Sequence, residues 1–168
     1  MNDDASTPWP AEIVERYERP LLAYAARMLG GDWQAAQDAV QETFLRLCRA
    51  DRAQIESRVA AWLFAVCRSR VIDMQRTKRA TPIDAVADAV PDPAPAVAES
   101  LSEDEDKRHL AQLVDGLSPR QQEVLRLRLQ AGLSYREIAE VTGLSVSNVG
   151  FHLHAAVRSL RKTLAASP

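Results

Sequence analysis

The side chains best suited to chemistry lie near the end of the chain, where polar, basic and aromatic residues share one predicted helix face. They recur at intervals of three or four positions: Ser147, Phe151, His154, Arg158 and Lys162. Hydroxyl and imidazole groups suit hydrogen bonds to base edges in the major groove of DNA, and the cations suit contacts to phosphates. We therefore predict a helix that binds duplex DNA.

The segment before this helix carries the signals of a helix-turn-helix. Ser134 and Glu137 form a capping box, S-x-x-E, that starts one helix. Gly143 allows a tight turn, and Ser145 can cap the helix that follows. An ordinary helical hairpin with a solvated basic face is the alternative. The apolar stripe that should bury the second helix consists of Val149, Leu153, Ala156, Val157, Leu160 and Leu164.

Two residues of this face have open roles. Phe151 lies outside the predicted core stripe, where exposure is unfavourable unless a thymine methyl or a partner protein covers the ring. His154 is either an ordinary surface histidine or a base contact. If Phe151 reads DNA, Phe151→Ala should change which duplex sequence is preferred, rather than weaken binding to all sequences equally.

A second candidate surface lies on the predicted helix 33–50. Its core stripe consists of Ala36, Val40, Thr43, Phe44 and Leu47. The opposite face carries Asp38, Gln41, Glu42 and Arg46, with Leu45 among them. A leucine surrounded by polar side chains indicates either a docking site for another protein or a solvated face.

A third candidate surface lies on the predicted helix 57–78. Its apolar face consists of Leu63, Phe64, Cys67, Val71 and Met74, and its other face carries Trp62, Ser69, Asp73 and Arg76. Further positive charge comes from Arg68, Arg70, Lys78 and Arg79. A tryptophan among basic and hydroxyl side chains can stack on unpaired bases, or it can pack against the preceding helix.

Charge divides the 168 residues into three segments. Residues 1–80 hold 12 basic and 11 acidic residues, residues 81–106 hold 8 acidic residues and no basic ones, and residues 107–168 hold 9 basic and 4 acidic residues. The net charges of +1, −8 and +5 indicate a nucleic-acid partner for the last segment. The middle segment is rich in Pro and Ala and lacks aromatic residues, which predicts a flexible linker.

Apolar periodicity predicts helices on both sides of this linker and no strands. The predicted blocks are 11–29, 33–50 and 57–78, followed by 103–115, 118–130, 134–142 and 145–165. Asp32 and Ser118 are the expected N-caps of two of them, with Pro119 in the first turn of the second. The predicted fold is all-α, with two small helical domains joined by the flexible acidic linker and a C-terminal helix-turn-helix.

Several classes of protein do not fit the sequence. Cys48 and Cys67 lack partners at metal-ligand spacing, so we expect both to be buried, reduced thiols. No phosphate loop or nucleophile constellation is present, so we expect no catalysis, no metal and no cofactor. No apolar run approaches the roughly 20 residues that cross a bilayer, and the acidic N-terminus is unlike a signal peptide. The expected location is the cytoplasm.

These segments together resemble the extracytoplasmic-function (ECF) class of bacterial sigma factors over nearly the whole chain. Residues 37–46, QDAVQETFLR, are similar to the helix by which that family binds core RNA polymerase. Trp62-Leu63, Arg68 and Ile72-Asp73 resemble its helix that recognises and opens the minus-ten promoter element. Residues 117–125, LSPRQQEVL, and 133–139, LSYREIA, resemble its domain that binds the minus-thirty-five element.

The resemblance implies a role for each segment and catalysis by none. Residues 1–80 would bind the polymerase clamp through Asp38, Gln41, Glu42, Leu45 and Arg46. The same domain would hold the non-template strand of the minus-ten element, with flipped bases, through Trp62, Arg68, Ser69, Arg70, Asp73, Arg76, Lys78 and Arg79. Residues 81–106 would run toward the polymerase active-site channel. Residues 107–168 would bind the minus-thirty-five duplex through Arg136, Ser145, Ser147, Asn148, Phe151, His152, His154, Ala155, Arg158, Arg161 and Lys162. An anti-sigma factor is a further implied partner, and membrane insertion is not expected.

The chain departs from the family pattern at a few positions. Ser69 stands where the family usually has Asn, which bears on base selection in the minus-ten element, and Cys48 stands where it usually has Trp. Gly150, His152 and Ala155 replace basic residues of the recognition helix. We therefore expect an unusual minus-thirty-five sequence, weaker phosphate anchoring, or both.

Two other functions remain open from the sequence. A LuxR-type regulator has a similar L-S-P-R-Q-x-E-V-L opening to its output domain and would bind an operator as a dimer. A protein-binding antagonist of sigma factors is the third possibility, although the positive C-terminal segment argues against it.

We also expect the acidic linker to cover the basic C-terminal surface in the free protein. Neutralising the acidic residues of 99–106 should then raise DNA affinity at low salt.

Overall fold

The computed structural model describes residues 9–80 and 101–166, which form two compact units made of helices. The first unit contains α1 (Trp9–Met28), α2 (Trp33–Arg49), α3 (Arg52–Ile55), a 3-10 turn (Glu56–Arg58) and α4 (Val59–Ala80). The second contains α5 (Leu101–Asp115), α6 (Pro119–Leu129), α7 (Tyr135–Thr142) and α8 (Val146–Ala166). The described ranges contain no strand, and the predicted all-α fold is confirmed.

The acidic segment predicted to be a flexible linker falls mostly outside the described residues. Residues 81–100 are not described, so the expected masking of the C-terminal surface stays a prediction. Residues 101–106, which charge alone assigned to the linker, lie in the first turns of α5. Acidic residues near a helix N-terminus are favourable because they face the positive end of the helix dipole.

The core of the first unit lies between α1, α2 and α4. Leu21 and Tyr24 of α1 are buried against this centre, and the Tyr24 and Phe64 rings meet edge to face with their centroids 5.4 Å apart. The predicted stripes of α2 and α4 are buried except at Phe44 and Met74, which are half-buried. The structure adds α3, whose first turn is capped by the Asp51 carboxylate accepting from the Ala53 N–H at 3.1 Å.

The C-terminal half of α4 is tied to the turn between α1 and α2. Gln75 Nε2 donates to the Met28 carbonyl at 2.6 Å, and Lys78 Nζ lies 3.0 Å from Asp32 Oδ2. The other carboxylate oxygen of Asp32 caps α2 by accepting from the Ala35 N–H at 3.0 Å, as predicted. The Ala35 N–H and the Lys78 ammonium together hold the pKa of Asp32 below its ordinary value.

The helix starts of the second unit are set by side-chain caps. The hydroxyl oxygens of Ser118 and Ser134 each accept from the backbone N–H three residues later. In return, the side-chain oxygens of Gln121 and Glu137 accept from the backbone N–H of the capping serine. The capping box predicted at Ser134 is confirmed. At Ser118 the predicted N-cap is confirmed, and Gln121 completes a capping box there as well. The core of this unit lies between α6, α7 and α8: Val124, Leu127, Leu133, Ile138, Val141, Val149, Leu153 and Ala156.

Two parts of the predicted core are wrong. Val157 and Leu164 of α8 are 38% and 49% exposed, although Leu160 between them is half-buried. At about 1.5 Å per residue, α8 with its 21 residues is longer than α6 with 11 and α7 with 8. Its C-terminal end therefore extends past these helices and is only partly covered. Cys48 is also exposed, because it follows the buried Leu47 and points away from the core.

Replacement of Asp32 should separate its capping bond from its ion pair. Asp32→Ala should lower the free energy of unfolding by about 1 kcal/mol, the usual cost of a lost N-cap. Asp32→Asn should cost less because Asn caps well, losing only the exposed ion pair with Lys78. Urea unfolding followed by tryptophan fluorescence reports this unit alone, since Trp9, Trp33 and Trp62 all lie in it.

The same variants carry a pH test. Because the pKa of Asp32 is lowered by folding, its contribution is present above the unfolded value of about 4 and is lost as the pH falls through the folded value. The advantage of the natural protein over Asp32→Asn should therefore shrink between pH 5 and pH 3. An advantage that stays constant over that range would contradict the assignment.

The two thiols should differ sharply in reactivity. Burial raises the pKa of Cys67 to about 11, against a weaker opposing effect of the Thr43 hydroxyl, whereas Cys48 is exposed. A thiol reagent at pH 7.5 should modify Cys48 in the folded chain and reach Cys67 only after unfolding. Mass spectrometry of digested samples, with Cys48→Ser as control, measures both sites. Comparable rates at the two cysteines would contradict the packing of α4.

Candidate nucleic-acid interface

The predicted recognition face of α8 is exposed along its length. Its five members at helical spacing all face away from the core: Ser147, Phe151, His154, Arg158 and Lys162. Phe151 is 67% exposed and is the most exposed large apolar side chain of α8. The helix contains no Asp or Glu. Its outer face therefore offers neutral polar and aromatic groups first, and cations only from Arg158 onward.

The first turn of α8 is held by the residue before it. The Ser145 hydroxyl oxygen accepts from the Asn148 N–H at 3.1 Å, so Ser145 is the N-cap of α8, as predicted. Gly143, at φ +75°, adopts the left-handed conformation that ends α7 and favours glycine. The short turn between the two helices, Gly143 to Ser145, follows from these two local features.

The remaining residues predicted to contact duplex DNA differ in exposure. Arg136 and Arg161 are exposed, whereas His152 and Ala155 are half-buried. The His152 ring meets Phe151 edge to face, with centroids 5.5 Å apart. His152 is thus placed to support the Phe151 ring as well as to face solvent.

A contact that sequence reasoning missed joins the two helices of the helix-turn-helix. The Tyr135 ring lies against Gly150, where a β-carbon would sit 3.5 Å from Tyr135 Cε2. The Arg128 guanidinium lies 5.6 Å from the centre of the same ring, and its Nη1 donates to the Leu133 carbonyl at 2.9 Å. Tyr135 thereby connects α6 to the second turn of α8. The sequence signal for this contact was Gly150, a residue without a side chain inside a helix, which leaves room for a ring from the neighbouring helix.

One face of α4 collects the residues predicted to hold an opened strand. Trp62, Ser69, Asp73 and Arg76 recur at spacings of seven, four and three. Trp62 is half-buried, and the other three are exposed. This arrangement places a partly exposed indole on the same helix face as a hydroxyl, a carboxylate and a guanidinium. Trp62 is partly packed against the unit, and its stacking on unpaired bases stays a prediction.

The basic residues around this face are not equivalent. Arg76 and Arg79 are exposed, Arg68 and Arg70 are half-buried, and Lys78 is paired with Asp32. The Nε atom of Arg70 is buried and has no hydrogen-bond partner among the described residues. Arg76 and Arg79 are consequently the cations of α4 most open to a phosphate.

The predicted docking face of α2 borders a groove against α1. The groove encloses about 500 Å³, and Asp38, Gln41 and the 46%-exposed Leu45 line it. Glu42 and Arg46 lie on the same outer face and pair with each other, with Oε1 and Nε 3.2 Å apart. An exposed pair of this kind is worth only a few tenths of a kcal/mol, so a partner can separate it at little cost.

The groove also contains residues that sequence reasoning missed. They are Val14, Glu18 and Leu22 of α1 and Gln34, Gln37, Val40, Phe44 and Cys48 of α2. The members from α1 recur every four residues, which is the signal that could have found them. Its lining is mixed: apolar side chains from both helices lie beside three glutamines, and Glu18 and Asp38 add negative charge.

Within the described residues no group of three or more His, Cys, Asp or Glu is arranged to hold a metal ion. In the same ranges, no helix is both long and apolar enough to cross a membrane.

Family models match both parts of the chain. Residues 13–81 match Sigma-70 region 2, and residues 107–160 match Sigma-70, region 4. The first match contains α2 and α4 with their exposed faces, and the second contains the helix-turn-helix. The region 2 match over residues 13–81 is not expected of a LuxR-type regulator or of a sigma-factor antagonist.

Relatives and a solved structure agree with these matches. The chain is 30% identical over 154 residues to the ECF RNA polymerase sigma factor SigL of Mycobacterium tuberculosis, covering 90% of this chain and 86% of SigL. It is 27% identical over 155 residues to the RNA polymerase sigma factor CarQ of Myxococcus xanthus, covering 91% and 87%. CnrH, solved in complex with the cytosolic domain of CnrY, shares the fold with a TM-score of 0.62 at 24% identity, covering 98% of this chain and 92% of CnrH.

Two region matches in the family's order, together with a 30%-identical relative aligned over most of its length, settle the classification. The chain belongs to the ECF family of sigma factors, which direct bacterial RNA polymerase to promoters and initiate transcription there.

Proposed function

We propose that the two units divide the work of promoter recognition between them. Residues 9–80 dock on the clamp of core RNA polymerase and hold the opened minus-ten strand, and residues 101–166 bind the minus-thirty-five duplex. The proposal rests on one observation above all: α2, α4 and α8 each bury one stripe and leave a chemically distinct face exposed. The chain supplies binding and no catalytic group, and it acts with the polymerase in the cytoplasm.

The docking face is the groove between α1 and α2. Leu45 stands half-exposed at its edge, and Phe44 and Leu22 form apolar walls. Glu18 and Asp38 add negative charge, which suits a partner that inserts an apolar side chain flanked by basic groups. Gln41, Glu42 and Arg46 complete the surface offered to the polymerase clamp.

The opened strand lies along the exposed face of α4. The Trp62 indole offers a stacking surface for an unpaired base, and Ser69 and Asp73 offer hydrogen-bonding groups beside it. Arg76 and Arg79 contact phosphates, with Arg68 and Arg70 closer to the body of the unit. Lys78 contributes mainly by anchoring α4 through its ion pair with Asp32 and less by direct contact with the minus-ten strand.

The duplex contacts divide into two classes along the helix-turn-helix. Arg136 at the start of α7 and Arg158, Arg161 and Lys162 late in α8 bind phosphates and fix orientation. Ser147, Asn148, Phe151 and His154 in the first turns of α8 face the base edges. Ser145 caps the helix, and His152 and Ala155 border the contact.

A protein antagonist is a further proposed partner. In the second unit, Leu110, Val157 and Leu164 are 52%, 38% and 49% exposed, which suits burial by another protein. CnrH, with the same fold, was solved in complex with the cytosolic domain of CnrY. If an anti-sigma factor holds this chain, the chain at natural abundance should elute in a complex that lacks polymerase. Elution only alone or only with polymerase would contradict this.

Reconstituted transcription tests the function directly. Core polymerase mixed with the purified chain and promoter DNA should produce discrete transcripts, and core polymerase alone should not. The transcripts should depend on both promoter elements. A chain that binds the DNA yet gives no initiation would contradict the proposal.

Leu45 provides a test of the docking face. Leu45→Ala should weaken binding to core polymerase by about fivefold or more, because an apolar anchor within an interface is worth upward of about 1 kcal/mol. Leu129→Ala is the matched control, since Leu129 is 72% exposed on α6 and has no assigned contact. Affinity is measured by titrating labelled chain with core enzyme, and thermal unfolding checks both folds. Equal affinities of the two variants would exclude Leu45 as an anchor.

A further inference from the structure

We propose that the duplex element contacted by α8 has an A·T-rich core, in which Phe151 contacts a thymine methyl and Asn148 binds an adjacent adenine. This inference rests on the proposed binding of the duplex by α8 and names the base pairs that it reads. It is carried by the distribution of charge and exposed surface along one helix.

The first three turns of α8 lack Arg and Lys, the side chains that bind guanine through paired hydrogen bonds. Residues 146–157 include no Lys or Arg, and the first cation is Arg158. A helix rises about 1.5 Å per residue, so Arg158 lies about 15 Å beyond Asn148 along the axis. Base edges are contacted from the N-terminal turns of a recognition helix, and the commonest specific contact there is Arg or Lys on guanine. That contact is missing from the reading turns.

Asn148 is the reading side chain that distinguishes a base by paired hydrogen bonds. It is exposed, and its backbone N–H is already engaged by the Ser145 hydroxyl, which fixes the turn that carries it. A side-chain amide presents a donor and an acceptor together, and this pair matches N6 and N7 of adenine. Ser147 and His154 donate or accept at several bases, so they leave the sequence undetermined.

Phe151 supplies the second part of the preference. Phe151 is 67% exposed, and its ring meets the His152 ring edge to face. In the major groove the apolar group offered by a base pair is the C5-methyl of thymine. Asn148 and Phe151 are three residues apart and therefore neighbours on the helix surface. The two side chains accordingly reach neighbouring base pairs, one with adenine and one with thymine.

Selection of promoters defines the element first. A duplex library randomised over the promoter region is transcribed by core polymerase with the full chain, and the transcribed templates are sequenced. The upstream element should contain an A·T-rich core, and its selection should change with Asn148→Ala and with Phe151→Ala. Leu129→Ala, an exposed apolar residue of α6 with no assigned contact, is the control and should select the same element.

Single-atom changes in the DNA then test each contact. Replacing the critical thymine by uracil removes only the methyl and should weaken binding of the natural holoenzyme about fourfold, the effect of burying one methyl-sized group. The same replacement should leave Phe151→Ala unaffected. Replacing the adenine by 7-deazaadenine should weaken the natural protein and leave Asn148→Ala unaffected.

The outcomes separate this inference from the function beneath it. A selected upstream element led by guanine, or a uracil effect that is absent or equal in natural protein and Phe151→Ala, overturns the inference while the sigma function stands. Failure to select any upstream element overturns both the inference and the proposed duplex contact.

Discussion

A helix in a small helical unit can bury only one stripe, and this constraint shapes both parts of the molecule. In the first unit α2 and α4 give their stripes to a core centred on Tyr24 and Phe64. In the second, α8 gives Val149, Leu153 and Ala156 to its core. The faces that remain must meet water or a partner. They carry the polar residues of the proposed contacts, with Leu45 on α2, Trp62 on α4 and Phe151 on α8 among them. We propose that polymerase docking and promoter recognition use the surface that packing leaves exposed.

These faces are useful only because other contacts fix their direction. The end of α4 is anchored by the Gln75 amide on the Met28 carbonyl and by the Lys78 ion pair with Asp32, which also caps α2. In the second unit, Tyr135 lies on Gly150 of α8 and under the Arg128 guanidinium. Each of these contacts joins α4 or α8 to another element of its unit and so orients the exposed face of that helix.

Local features of the sequence were sufficient to predict where four of the eight described α-helices begin. The caps at Asp32, Ser118, Ser134 and Ser145 form between residues three apart and need no knowledge of the fold. Features that depend on distant neighbours were missed: Gln75 reaches Met28 across 47 residues, and α1 supplies one side of the docking groove. Periodicity also placed Val157 and Leu164 in the core, because it does not reveal that α8 outlasts the helices beside it. The roles of individual contact residues stay predictions.

The division of promoter contacts between α4 and α8 is tested most directly by site-specific crosslinking in an initiation complex. A photoreactive amino acid is placed at position 69 or at position 151, and the crosslinked nucleotides are mapped on each DNA strand. Position 69 should crosslink to the unpaired non-template strand near the transcription start, and position 151 to duplex DNA further upstream. Crosslinks from both positions to the same element, or from position 151 to no upstream DNA, would contradict the proposed division.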